Sequence, residues 1–359
     1  MSALPPGATV GILGGGQLGR MLAVAGGRLG LRVEIYDPDP NAPAAHMAAR
    51  HYASGWNDAE ALDTFARACD VVTYEWENVP ASALDAVERH APVHPSRRAI
   101  EVSSDRLEEK RFLQGLGLTV APYGPVKGEK ALRAVADSVG LPGILKTRTM
   151  GYDGKGQVRI EAEDRIPEAI AAMAGAPAIL EGLVPFEREV SVIAARGADG
   201  AVAAYDPGEN VHEGGILRTT RVPARIPRSL ATDAVLAAGK ILGALDYVGV
   251  MGVELFVTRD GLVVNEIAPR VHNSGHWTQG ACAVDQFEQH MRAVAGWPLG
   301  DGARFRDVEM ENLIGEDVDR VPELVADPAV QIHLYGKAET RAGRKMGHVI
   351  RPLSDASAR

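Results

Sequence analysis

Apolar positions along the chain fall into short runs separated by glycine and proline, and each run carries a period that points to an element. Thr9-Val-Gly-Ile-Leu13, then Gly14-Gly15-Gly16, then Gln17-Leu-Gly-Arg-Met-Leu-Ala predicts a strand, a glycine turn and a helix. Arg32–Tyr36 and Asp70–Tyr74 read as further strands of the same parallel sheet, and Pro92 and Pro95 break the pattern shortly before residue 100. Asp105 with Glu108 predicts a helix start, closed by Gly115 and Gly117. The pattern then changes. Gly143–Lys146 and Val158–Ile160 predict strands around a glycine-rich loop, Ala178–Glu181 and Arg188–Ala194 two more, and Ser229–Leu245 a helix. Val250–Val257 and Leu262–Glu266 form a hairpin about Asp260-Gly261, and a strand-rich tail follows Gly296–Gly300. The expected fold is α/β and α+β: a Rossmann-like parallel-sheet domain over 1–102, a central domain over 103–299 with a lid at about 122–184, and a small β-rich domain over 300–359.

Length supports more than one core, since 359 residues exceed an ordinary single domain. With 46% hydrophobic and 24% charged residues, the composition is that of a soluble globular protein. A net charge of -9 argues against a broad nucleic-acid surface, yet permits a local Arg and Lys cluster to hold a small phosphorylated ligand. Cys69 and Cys282 are too few for a disulfide framework and lack metal-ligand spacing. With no signal-peptide pattern and no membrane-length apolar run, a reducing cytoplasm is the expected location.

The densest polar stretch runs from Asn265 to Gln279, offering a carboxylate, carboxamides, a guanidinium and two imidazoles with few apolar residues between them. A packed strand alternates instead. In the hairpin before it, a three-residue loop of Arg259, Asp260 and Gly261 makes Thr258 face Leu262 and sets Glu254 opposite Glu266. Two like charges across a ladder are destabilising unless a cation lies between them, and carboxylate oxygens suit Mg2+; an exposed edge hairpin is the alternative. Lys146 stands on a strand before the glycine-rich loop, a place for a phosphate contact, although no P-loop pattern occurs. Gly14, Gly16 and Gly19 fit G-x-G-x-x-G with Asp37 beyond, which suits a dinucleotide, a mononucleotide phosphate, or close helix packing equally. Glu75 and Glu77 leave the carboxyl end of a strand, where open α/β sheets bind ligands; Glu77 equally suits a helix cap. Arg344 and Lys345 form a basic turn in the tail.

Lys146, the Gly151 to Gln157 loop, Glu181, Glu189, and Glu254 with Asn265 and Glu266 resemble, in this order, the ATP-grasp superfamily. Asn265-Glu-Ile-Ala-Pro-Arg-Val-His-Asn-Ser-Gly-His-Trp-Thr-Gln279, with Gly14–Met21, Gly214–Thr219 and Gly343–His348, looks like the signature of its N5-carboxyaminoimidazole ribonucleotide synthetase family. The resemblance implies an ATP-grasp architecture behind the Rossmann-like domain. It implies ATP-dependent carboxylation of 5-aminoimidazole ribonucleotide by bicarbonate through carboxyphosphate, giving ADP and phosphate. ATP would be held by Arg106, Lys146, Gly151, Tyr152, Asp153, Gly154, Lys155, Gly156, Gln157, Glu181, Gly182, Leu183, Val184, Glu189, His212, Asn265 and Glu266. Glu254 and Glu266 would carry Mg2+, with Mn2+ as a substitute; Arg270, His272 and Asn273 would stabilise bicarbonate and the developing carboxyphosphate. Gln17, Glu75, Tyr152, Asp153, Arg344 and Lys345 would bind the ribonucleotide. A homodimer is also implied, with small molecules rather than nucleic acid or membrane as partners. The rivals are an oxidoreductase holding NAD at the glycine turn, another ATP-grasp ligase, and a non-catalytic ATP-binding protein.

Overall fold

The computed structural model describes residues 2–151 and 156–353, so the expected loop ligands Tyr152, Asp153, Gly154 and Lys155 lie outside the described residues. Three sheets organise the chain. In the first, β1 (Thr9–Leu13), β2 (Arg32–Tyr36), β3 (Arg50–Tyr52) and β4 (Val71–Tyr74) run parallel in the order β3-β2-β1-β4. β4 is buried throughout and β1 and β2 nearly so, as expected of parallel strands covered on both faces. Their carboxyl ends open toward the rest of the molecule through the glycine turn and Glu75.

The second sheet occupies the segment expected to be a lid: β5 (Tyr123–Val126), β6 (Gly143–Thr147), β7 (Gln157–Ile160) and β8 (Ala178–Gly182), antiparallel in the order β5-β8-β6-β7. It has its own small core of Leu132, Leu145, Ile160 and Leu180. Lys146 leaves one strand and Glu181 the neighbouring one, so pairing itself brings them together.

The third sheet has nine strands. β9 (Arg188–Arg196), β10 (Val202–Ala204), β11 (Gly208–Glu213), β12 (Ile216–Val222), β13 (Gly249–Thr258) and β14 (Gly261–Ala268) come from the central region. β15 (Val308–Ile314), β16 (Gln331–Leu334) and β17 (Lys345–Pro352) come from the tail. Its path is β14-β13-β9-β11-β12-β15-β17-β16, with β10 on β9. The strand-rich tail therefore extends the central sheet rather than forming one of its own, because β12 pairs directly with β15. Periodicity predicts strands but not which edge they join.

One apolar cluster ties the first and third sheets together: Leu22 and Val33 of the first domain meet Phe287 and Met291 of the Gln286–Val294 helix, and Met310 and Ile350 of the tail. Buried His290 adds a polar tie between regions, its Nδ1 accepting the Val250 amide at 3.0 Å and its Nε2 lying 2.8 Å from Thr73 Oγ1. The first sheet and the nine-stranded sheet thus share one core, while the second sheet keeps its own.

Candidate active site

Glu254 and Glu266 do stand opposite each other on β13 and β14, but by a different route from the three-residue loop expected. Thr258 pairs with Gly261, leaving only Arg259 and Asp260 in the turn. Thr258 Oγ1 accepts the Asp260 amide at 3.2 Å and donates to the Gly261 carbonyl at 2.9 Å, while Gly261 takes φ 121°. That register, continued, would put Asn265 opposite Glu254. A β-bulge between Val264 and Glu266 inserts Asn265 as an extra residue and restores the carboxylate pair.

The pair is electrostatically uneven. Burial and then the facing Glu266 push the Glu254 carboxyl up, partly offset by His212 and the Asn265 amide, whose Nδ2 donates to Glu254 Oε2 at 3.4 Å. Burial works against ionised Glu266 as well, but Arg106 and Lys146 outweigh it and hold Glu266 down; Arg106 Nη1 donates to Glu266 Oε2 at 3.0 Å. Among the described residues no Arg or Lys holds Glu254 down in the same way, and the imidazole 3.5 Å from it, His272, has its pKa lowered to about 3. The Glu266 side chain keeps 38% of its exposure, so a hydrated ion can reach it. The two carboxylates with the Asn265 amide therefore fit a divalent cation. Among the described residues no group of three His, Cys, Asp or Glu side chains offers a complete site, so remaining ligands would come from phosphates and water.

The lid supplies the opposite charge. Lys146 Nζ donates to Glu181 Oε2 at 3.0 Å, and both are buried. Glu181 Oε1 is buried without a partner among the described residues, an acceptor suited to a ligand N–H. The following linker is less open than its sequence suggests: the Gly182 amide donates to Pro122 O at 2.8 Å, that of Leu183 to Pro142 O at 3.1 Å, and Val184 O accepts the Phe186 amide at 3.0 Å. Across the cleft, His212 Nδ1 lies 2.5 Å from Glu189 Oε2. Burial opposes a charge on His212, yet the Glu189 contact and the fields of Glu254 and Glu189 raise its pKa.

The loop Arg270–Asn273 is held from three sides. Arg270 grips Glu77 with Nε and Nη2, the second contact at 3.0 Å, which gives Glu77 a partner rather than the capping role its sequence position allowed. Gln286 clamps the His272 backbone, accepting its amide at 2.9 Å and donating to its carbonyl at 2.8 Å. His272 Nδ1 lies 2.8 Å from Ser274 Oγ, and burial with the nearby Arg270 charge drops its pKa to about 3. The Asn273 carboxamide already has a partner: it and that of Asn312 exchange hydrogen bonds of 2.9 and 2.8 Å. It pins the loop to β15.

The glycine turn is already filled. The amides of Gly16 and Gly19 donate to the two Glu75 oxygens at 2.6 and 2.8 Å, and that of Gly15 to Asp37 Oδ2 at 2.7 Å. A Cβ on Gly14 or Gly16 would lie 2.6 Å from Glu75 atoms, so the glycines serve the approach of a carboxylate. Two carboxylates at the turn repel a pyrophosphate, and the NAD reading fails on that ground. Gln17, beside it, accepts from Lys337 Nζ at 2.6 Å, and the same ammonium reaches Lys345 O at 2.7 Å. The positive charge of Lys345 bears on His212 and His272, and Arg344 Nη1 donates to Glu339 O at 3.0 Å.

Sequence reading missed Glu109, Lys110, Gln286 and Lys337. Lys110 follows Arg106 by one helical turn, a spacing that puts both on one face and marks it. Lys337 has no such local signal, for its partner is 320 residues away.

Residues 7–104 match the family described as ribonucleotide synthetase preATP-grasp domain, 111–287 the ATP-grasp domain, and 309–357 the phosphoribosylaminoimidazole carboxylase C-terminal domain. The chain is 54% identical to an N5-carboxyaminoimidazole ribonucleotide synthase of Brucella melitensis, over 98% of each chain. A solved N5-carboxyaminoimidazole ribonucleotide synthetase in complex with ADP is 40% identical and superposes with a TM-score of 0.95 over 98% of this chain and 94% of its own. The Aspergillus clavatus N5-carboxyaminoimidazole synthase in complex with ADP and 5-aminoimidazole ribonucleotide is 33% identical, with a TM-score of 0.91 over 97% and 94% of the two chains.

Proposed function

The chain belongs to the N5-carboxyaminoimidazole ribonucleotide synthase family of ATP-grasp enzymes, and from that premise we propose how its residues divide the reaction. The enzyme uses ATP to join bicarbonate to the amine of 5-aminoimidazole ribonucleotide, releasing ADP and phosphate on the path to purines. The observation that carries the residue assignments is the carboxylate pair Glu254 and Glu266, set in the same cleft as Arg106 and Lys146.

ATP lies between the lid and β14. Glu181 to Val184 meet the base, and Lys146, Arg106, Gly156 and Gln157 meet the phosphates, with Glu189 and His212 closing the far side. Glu254 and Glu266, with Asn265 beside them, would hold Mg2+ or Mn2+; when bound, the ion would neutralise phosphate charge. Phosphoryl transfer depends mainly on positioning and charge, so none of these side chains needs to act as a nucleophile. His272, neutral and fixed by Gln286 and Ser274, presents Nε2 beside Glu254, where it can donate to an anion. Arg270, shared with Glu77, fixes the loop's approach to carboxyphosphate, and Asn273 keeps that loop against β15. Gln17, Glu75 and Lys345 form the ribonucleotide side of the cleft, with Arg344 at its rim.

ADP release by the purified protein, with bicarbonate and the ribonucleotide each present or omitted, tests the reaction. Release that needs both supports it; equal release without the ribonucleotide overturns the coupling. A homodimer, proposed on the resemblance, is tested by light scattering, and a cytoplasmic location by fractionation. No described helix is long and apolar enough to cross a membrane.

A further inference from the structure

β14 ends the path of the nine-stranded sheet, so β13 covers only one of its edges. The groups on the other edge need partners, because buried N–H and C=O groups left unpaired are costly. Thr119 O accepts the Val264 amide at 2.8 Å. The next two contacts come from consecutive residues of the Arg106–Gly115 helix: Lys110 Nζ donates to Asn265 O at 2.6 Å, and Glu109 Oε1 accepts the Ile267 amide at 2.6 Å. Both side chains are almost wholly buried, Glu109 at 2% and Lys110 at 1% exposure. Their targets flank Glu266, and one is the bulge residue itself.

We propose that Glu109 and Lys110 are positioning residues that hold the bulge open and thereby aim Glu266 across the ladder at Glu254. Without the bulge, period two moves every side chain beyond Asn265 to the opposite face, and Asn265 replaces Glu266 in the pair. Two buried side chains on a rigid helix resist that slip, one from each side of Glu266. Lys110 also approaches Glu181 Oε2 to 3.5 Å, linking the lid to the bulge. Neither residue reaches the reacting atoms; each acts through the backbone of β14.

The inference rests on Glu254 and Glu266 as the metal pair, and the test separates the two ideas. Mn2+ affinity is measured by electron paramagnetic resonance with saturating ADP and no turnover, for wild type, Lys110→Met, Glu109→Leu and Glu109→Gln. ADP affinity is measured alongside by calorimetry. Lys110→Met and Glu109→Leu should weaken Mn2+ binding about 10- to 100-fold, the range for residues that orient metal ligands, with ADP affinity changed less than about 3-fold, under 1 kcal/mol. Glu109→Gln keeps an acceptor for the Ile267 amide and should restore Mn2+ affinity to within about 3-fold. Wild type that binds no Mn2+ overturns the metal reading and the clamp together. Wild-type Mn2+ affinity in Lys110→Met or Glu109→Leu overturns the clamp alone, as does a loss in Lys110→Met that falls on ADP and spares Mn2+. Should Lys110→Met fail to fold, the Leu and Gln contrast at 109 decides.

Discussion

Glu266 and Glu254 share an environment on paper and differ in fact: Arg106 and Lys146 keep one ionised, while burial and the facing charge raise the other. Replacing Glu266 by Gln removes the charge that those two cations are arranged around, and ADP release should fall by about 100-fold or more. Near-normal release in that variant, measured by coupled spectrophotometry, would exclude the metal assignment. The pairing was legible in the sequence, though for a mistaken reason. A three-residue loop and a two-residue loop plus a bulge give the same partner to Glu254, and only the second is present. Side-chain pattern reports which residues share a face, but an inserted residue leaves the pattern ambiguous. Asn273 shows the opposite failure, since its polarity suggested a ligand and its partner Asn312 lies 39 residues on, beyond local reading.

At the scale of the element, the glycine turn before the Gln17–Arg28 helix makes the same point. G-x-G-x-x-G records that something approaches the backbone closely, not what approaches. Here it is Glu75, 59 residues beyond Gly16. A methyl group on Gly16 would stand 2.6 Å from Glu75 Oε1, so Gly16→Ala should displace that carboxylate and its neighbour Gln17. The expected result is a KM for the ribonucleotide raised about 10-fold, equivalent to about 1.4 kcal/mol of binding, with the KM for ATP little changed. Initial-rate kinetics in both substrates checks it, and an effect on ATP alone would contradict the assignment. Strands with strong apolar runs, such as β1, β4 and β13, were legible, whereas β3 and the β11–β12 hairpin were not. β11 and β12 mix His, Glu, Arg and Thr because one face lines the cleft, and chemistry there overrides alternation.

For the whole molecule, imidazole burial sets the response to acid. Six of ten histidines have lowered pKa values, chiefly because burial disfavours their charged form: His94, His272, His276, His290, His333 and His348. Each binds its proton more weakly folded than unfolded, so as pH falls below 6.5 the unfolded chain takes up more protons and stability is lost. Glu109, raised to about 8, and Glu75, Glu254, Asp285 and His212, also raised, act in the opposite sense, five groups against the six imidazoles. The melting temperature without ligands should drop by about 5 °C or more from pH 6.5 to 5. Calorimetry across that range checks the sign, and a rising value would contradict it. The order of the nine-stranded sheet carries a consequence for synthesis. β17 lies between β15 and β16, and β16 pairs with no other strand. While the ribosome has delivered only as far as Leu334, β15 and β16 wait with bare edges, a state that invites intermolecular pairing. β17 also carries Lys345, so a nascent chain holds the residues proposed for the nucleotide well before this one, and the strand that delivers it covers one edge each of β15 and β16.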